Sequence, residues 1–160
     1  MTEPASAQEI TISRVFDAPR EVVWKAWTEP DQIASWWGPH GWTNPLSKIT
    51  MDVRPGGAFR IVSISDADGT EMPSQGVYRE VVEPERLVFE EPADGSWHEG
   101  AVSVVTLSDL GDGRTEVVLQ ATIHTSDDMR AQAEHGMKGS LDRLAEHLAS
   151  PNRTDKEPTK

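Results

Sequence analysis

Cysteine is absent from all 160 residues. That excludes disulfides and thiol chemistry, and it is compatible with the cytoplasm, the expected location. Long apolar runs are also missing. No stretch approaches the ~20 residues that span a bilayer, so no membrane insertion is expected. Positive charge is scarce, with 15 Lys and Arg against 27 Asp and Glu, a formal net charge of −12. Such a field repels nucleic acid and anionic membranes and favours solubility, while leaving a cationic protein partner open. Met1 to Gln8 lacks the basic start and apolar core of a secretion signal and reads as a frayed tail. The polar stretch 151–160 reads as a disordered tail, which leaves 9–150 as one domain. The five histidines show no HExxH or other metal spacing, and no metal or cofactor is expected. Neither a GxGxxG nor a Walker pattern surrounds Gly56 and Gly57. Ser140 follows Gly139 within a helical pattern rather than at a strand-to-helix elbow, so no nucleophile stands out.

What is present is organised around Asp127 to Ser150. Met129, Ala133, Met137, Leu141, Leu144 and Leu148 recur at spacings of three and four and form one apolar helical stripe. Thr125 or Ser126 can cap its start, Asp127 and Asp128 suit the positive end of the dipole, and Pro151 stops it. Gly136 and Gly139 lie beside the stripe, each at a cost of about 1 kcal/mol relative to Ala. Either they let the helix approach a sheet closely, or they leave room for something bound between the two.

Upstream, Glu9 to Phe16 alternates as a strand, with Arg14 on the face of Ile10, Ile12 and Phe16. Pro19 can open a short helix bearing Val23, Trp24 and Trp27. A second, from about Pro30, carries Ile33, Trp36 and Trp37, with Thr28 and Asp31 as capping partners. Period-two patterns then recur at 49–53, 59–64, 76–82, 87–90, 101–107 and 116–124, separated by Gly, Pro and Asp turns. The order β-α-α-β6-α predicts an α+β fold. About seven strands pair antiparallel and curl around the long helix.

The tryptophans divide. Trp24 and Trp27 read as core anchors. Trp36, Trp37 and Trp42 flank the loop containing His40, and they either close the core or line the mouth of a pocket. His40 is the leading polar candidate. His147 is expected on the solvent side of the long helix and His135 off its stripe. His98, beside Trp97, is open to either side of its strand. Glu80 shares a strand face with Tyr78 and Val82 by alternation. Buried there, its carboxyl would titrate high and serve as acid or base. The run Glu83, Glu85, Glu90 and Glu91 suggests instead a solvated acidic edge.

Several stretches together resemble a known family: RVFDAP from Arg14 to Pro19, Val23, Trp24 and Trp27, WWGP from Trp36 to Pro39, RPGG from Arg54 to Gly57, GVYREV from Gly76 to Val81, PERLVF from Pro84 to Phe89, and Gly136, Leu141, Leu144 and Leu148. In order and spacing they are similar to bacterial relatives of the activator of the ninety-kilodalton heat-shock protein ATPase. The resemblance covers roughly Glu9 to Ser150. It implies the helix-grip fold of the START and pollen-allergen superfamily (SRPBCC), in which a curved sheet grips the last helix around a hydrophobic cavity. Relatives bind lipids, sterols, polyketides or hormones, and some are cyclases, dehydratases or hydrolases. The family fixes no universal catalytic set. It often has Trp where this chain has Met137, a smaller and more flexible side chain that reshapes the cavity.

The expected function is binding of a small hydrophobic or aromatic molecule. Met137 and Leu141 would contact it from the helix, and Phe59, Tyr78, Glu80 and Phe89 from the sheet. Trp36, Trp37, His40, Trp42 and His98 would lie near the entrance. Alternatives are a cyclase-, dehydratase- or hydrolase-type enzyme in the same cavity, and a chaperone-associated protein. A homodimer through exposed tryptophans is a further candidate contact.

Overall fold

The computed structural model describes residues 6–38, 40–92 and 100–149. Its elements are β1 (Ser6–Phe16), α1 (Arg20–Thr28), α2 (Pro30–Ile33), β2 (Trp42–Thr43), β3 (Ile49–Met51), β4 (Ala58–Ser65), β5 (Glu71–Val82), β6 (Arg86–Glu91), β7 (Ala101–Gly111), β8 (Arg114–Thr125) and α3 (Asp127–Ala149). One antiparallel sheet of eight strands runs in the order β1-β8-β7-β6-β5-β4-β2, with β3 also paired to β4. It curves around α3, and α1 and α2 complete the core. This is the helix-grip α+β fold. Among the described residues, no helix is long and apolar enough to cross a membrane.

The differences from the sequence reading have local causes. The eighth strand, β2, has two residues, too short to show a period, and pairs Trp42 with Ser65 and Thr43 with Ile64. β5 begins at Glu71 rather than Gly76 and includes Pro73. Among the described residues, pairing with β6 starts only at Val77, so Pro73 lies on a stretch paired on one side, where its missing N–H is tolerated. Ser6 to Gln8, expected within the tail, extend β1 and pair with Ile123 to Thr125. At α2, Glu29 rather than Thr28 or Asp31 is the N-cap, without a side-chain bond, and Thr28 donates back to the Trp24 carbonyl at 2.9 Å. Ser126 does cap α3, accepting from the Met129 N–H at 3.3 Å.

A bulge between Tyr78 and Glu80 in β5 matters for the site. It arises where the turn 54–57 takes over as partner. The Gly56 N–H donates to the Tyr78 carbonyl at 2.7 Å, and the Tyr78 N–H to the Gly57 carbonyl at 2.9 Å. The extra residue breaks the alternation, so Tyr78 and Val81 face inward while Arg79 and Glu80 both face solvent. Gly57 is required there because a Cβ would lie 1.9 Å from the Asp52 carbonyl oxygen. Gly57→Ala is therefore expected to destabilise the fold by about 2 kcal/mol or more in urea unfolding. Unchanged stability would show that the turn yields.

Candidate ligand cavity

The apolar stripe of α3 is divided along its length. Leu141, Leu144 and Leu148 are buried in the core. Met129, Ala133 and Met137 are only half-buried, and they face a cavity of about 400 Å³ between the helix and the concave face of the sheet. That volume lies within the usual range for small-molecule sites. Gly136 lines the same space, and a Cβ built on it would meet nothing within 4 Å. Close approach to the sheet is therefore not what requires this glycine, and the second reading, room between helix and sheet, fits it.

Polar ties hold the helix in this position along β1. Gln8 donates to Asp127 at 2.8 Å, Arg130 to the Glu9 carbonyl at 2.9 Å, and Arg14 to Asp142 at 2.7 Å. Arg14 thus bridges strand and helix rather than entering the core. His147, expected to face solvent, is half-buried and lies 3.1 Å from Oε1 of the buried Gln32.

Tryptophans form one wall. Trp27, Trp36, Trp37 and Trp42 all line the cavity. Trp36 meets Trp27 edge-on at 4.7 Å between centroids and tilts against Trp37 at 5.8 Å. The Trp36 indole N–H donates to the Ala26 carbonyl at 2.9 Å, and that of Trp37 to Ser74 Oγ at 3.4 Å. The Trp27 indole N–H is buried without an acceptor among the described residues. The loop that carries the wall is fixed by two side chains from elsewhere. Buried Asn44 donates to the Trp37 carbonyl at 2.7 Å and accepts from Ser63 at 2.6 Å. Arg143 of α3 donates to the carbonyls of Trp37 at 3.1 Å, Gly38 at 3.0 Å and Ser35 at 3.3 Å. Burial lowers the Arg143 pKa from its ordinary value, opposed by the charges of Glu146 and Asp66.

Of the residues expected at the site, Trp36, Trp37, Trp42, Phe89, Met137 and Leu141 come together around the cavity. Phe59 and Tyr78 lie behind it, lining a separate void of about 10 Å³ with Ile61 and Leu87. Phe59 tilts against Tyr78 at 5.2 Å and meets Phe89 edge-on at 5.5 Å, so the pair support the wall without forming it. Neither His40 nor Glu80 is inside. His40 is exposed and pairs with Glu146 at 3.2 Å, joining the loop to α3 on the outer side. The bulge turns Glu80 to solvent, where it pairs with Arg86. His98 and Trp97 fall outside the described residues. Trp36 is buried, and Trp37 and Trp42 are half-buried.

Sequence reasoning missed Trp27, taken only as a core anchor, and Ser103 and Leu119, which share the concave face with Phe89. It also placed Glu91 on a solvated edge, whereas Glu91 is half-buried and lines the cavity. Among the described residues, no three His, Asp or Glu side chains gather as a metal-holding group.

The model of the family described as "Activator of Hsp90 ATPase homolog 1-like protein" matches residues 17–149. The chain belongs to this family. With its helix-grip architecture, it falls within the SRPBCC superfamily and is, in general terms, a ligand-binding domain. Similar solved structures include protein CV1439 from Chromobacterium violaceum, 27% identical with a TM-score of 0.78 over 89% of this chain and 97% of that one. CalU16 from Micromonospora echinospora is 26% identical with a TM-score of 0.65, over 89% and 77%. The AHSA1 protein SPO3351 from Silicibacter pomeroyi shares the fold at 21% identity and a TM-score of 0.76, over 89% and 98%. No curated protein matches this chain.

Two tests follow from the geometry. Truncating the packed half of the stripe should cost far more than truncating the half facing the cavity. Leu144→Ala is expected to lose about 2–5 kcal/mol and Met137→Ala less than about 1 kcal/mol in denaturant unfolding. Equal losses would mean that Met137 is packed. The second test uses Tyr78, the one tyrosine in the chain. Burial, and then the Asp52 carboxylate, push its phenol far above the ordinary value of 10.0. Below about pH 10 both folded and unfolded chains keep the proton; above it the unfolded chain ionises first. Stability should therefore fall as pH rises past about 10, by at most about 1.4 kcal/mol per pH unit from this group, and Tyr78→Phe should remove that component. Tyrosinate absorbance in the folded protein at an ordinary pH would contradict the burial.

Proposed function

We propose that this family member binds a small, largely apolar molecule, aromatic in at least part, between α3 and the sheet. The observation that carries the proposal is the unfilled half of the helix stripe. Met129, Ala133 and Met137 are at helix positions that normally pack a core, yet they border about 400 Å³ of space walled by indoles, Phe89 and Leu119. Apolar surface left in this state gains ~25 cal/mol per Å² when a ligand covers it, before the costs of association. Ser63, Ser74, Ser103 and Ser140 add hydroxyls to the wall, enough to orient a ligand without making the site polar.

An enzymatic reading needs an ionisable group beside the ligand. Glu91 is the sole ionisable lining residue among the described ones, and nothing around it favours a particular reaction. A chaperone role rests on the family description, and likeness at that level carries a fold rather than an activity.

Screening aromatic and alicyclic compounds by native mass spectrometry, with tryptophan fluorescence as a second readout, tests the proposal. Bound compounds should quench or shift the emission of the indole wall. Met137→Trp, which adds bulk to the cavity, should abolish binding while leaving the unfolding midpoint unchanged or higher. Binding that survives Met137→Trp would place the ligand elsewhere.

A further inference from the structure

The proposed cavity has a charge asymmetry. Its lining contains no Lys, Arg or His among the described residues, while Glu91 contributes a carboxylate. Strand alternation aims Glu91 inward. On β6, Phe89 and Glu91 share the concave face, and Glu90 between them turns outward to pair with Arg79 at 2.6 Å. Phe89 pairs in register with Ser103, which also lines the cavity, and Glu91 pairs with Ala101 two residues further along. Glu91 thus lies about 7 Å along the strand from Phe89, at the end of β6. Across from it, β5 carries Gly76, where a Cβ would lie 2.0 Å from the Glu90 carbonyl oxygen, so the two strand backbones meet closely there. Arg143 of α3 is engaged with the carbonyls of the tryptophan loop.

Resting on the binding function proposed above, we infer that the site selects hydrophobic amines, with the ammonium at Glu91 and the apolar body against Phe89 and the indoles. A half-buried carboxylate at a strand end ordinarily needs no role beyond solvation. Here it borders an aromatic-walled space in a chain of net charge −12. Three effects then act in the same direction. The carboxylate attracts an ammonium, indole walls attract cations through their ring quadrupoles, and the overall field repels anions from the mouth. A fatty acid or an acyl phosphate would bring its charge to the wrong partner. A carboxylate has about four acceptor positions, so a contact already made by Glu91 leaves room for an ammonium.

The test uses one skeleton with three head groups: 2-(2-naphthyl)ethylamine, 2-(2-naphthyl)ethanol and 3-(2-naphthyl)propanoate, titrated calorimetrically against the full chain. The amine is expected to bind about ten-fold more tightly than the alcohol, with the propanoate weaker still, and added salt should shrink the spread. Glu91→Gln should bring the amine to the level of the alcohol. Equal binding of all three compounds to the native chain would overturn the charge selection while leaving the cavity proposal standing. An amine preference that persists in Glu91→Gln would overturn the assignment to Glu91. If none of the three binds, both this inference and the cavity proposal fail. The comparison on the native chain stands even if the Glu91 variant does not fold.

Discussion

The structure depends on how α3 is held. Leu144 and Leu148 anchor its C-terminal half in the core, and Leu141 marks the boundary. Arg143 and Arg14 tie that half to the tryptophan loop and to β1. The N-terminal half is tied along its flank, by Asp127 and Arg130, to the first strand. A helix fixed at its edge and its end need not sink into the sheet along its whole length. The sheet is curved and the helix is straight, so the gap left between them is greatest where small or flexible residues face it. Gly136, Ala133 and Met137 occupy that stretch.

The indole wall illustrates a second constraint. Large rings around an open space tend to rotate into it unless something fixes them. Here the Trp36 indole N–H is held by the Ala26 carbonyl and that of Trp37 by Ser74 Oγ in the wall, and ring contacts lock Trp27 to Trp36. Asn44, itself held by Ser63, and Arg143 satisfy the carbonyls of the loop behind them. The polar groups therefore preorganise an apolar surface, which reduces the ordering cost of binding.

Much of this was legible in the sequence because hydrophobic periodicity reports which face of an element is inward. The α3 stripe, with Met137 and Leu141 on it, and the antiparallel strands follow from it, whereas Trp36, Trp37 and Trp42 stood out by flanking one loop. Depth is a different matter. Met137 and Leu144 are equivalent in the pattern, and only tertiary placement separates a lining residue from a packed one. Alternation also fails wherever a strand gains a residue, and the bulge after Tyr78 therefore moved Glu80 from the inner to the outer face. His40 shares a loop with the tryptophans, yet loop neighbours need not point the same way. The placement of Glu91 was within reach, since it follows Phe89 by two residues on the same strand, but a run of acidic residues suggested a solvated edge instead.

The central claim is that an apolar hollow separates the first half of α3 from the sheet. Crystals pressurised with xenon test it directly, because dry apolar cavities take up the gas. Xenon density beside Met129, Ala133 and Met137 is the expected result. Its absence there, with side chains filling the space, would contradict the account.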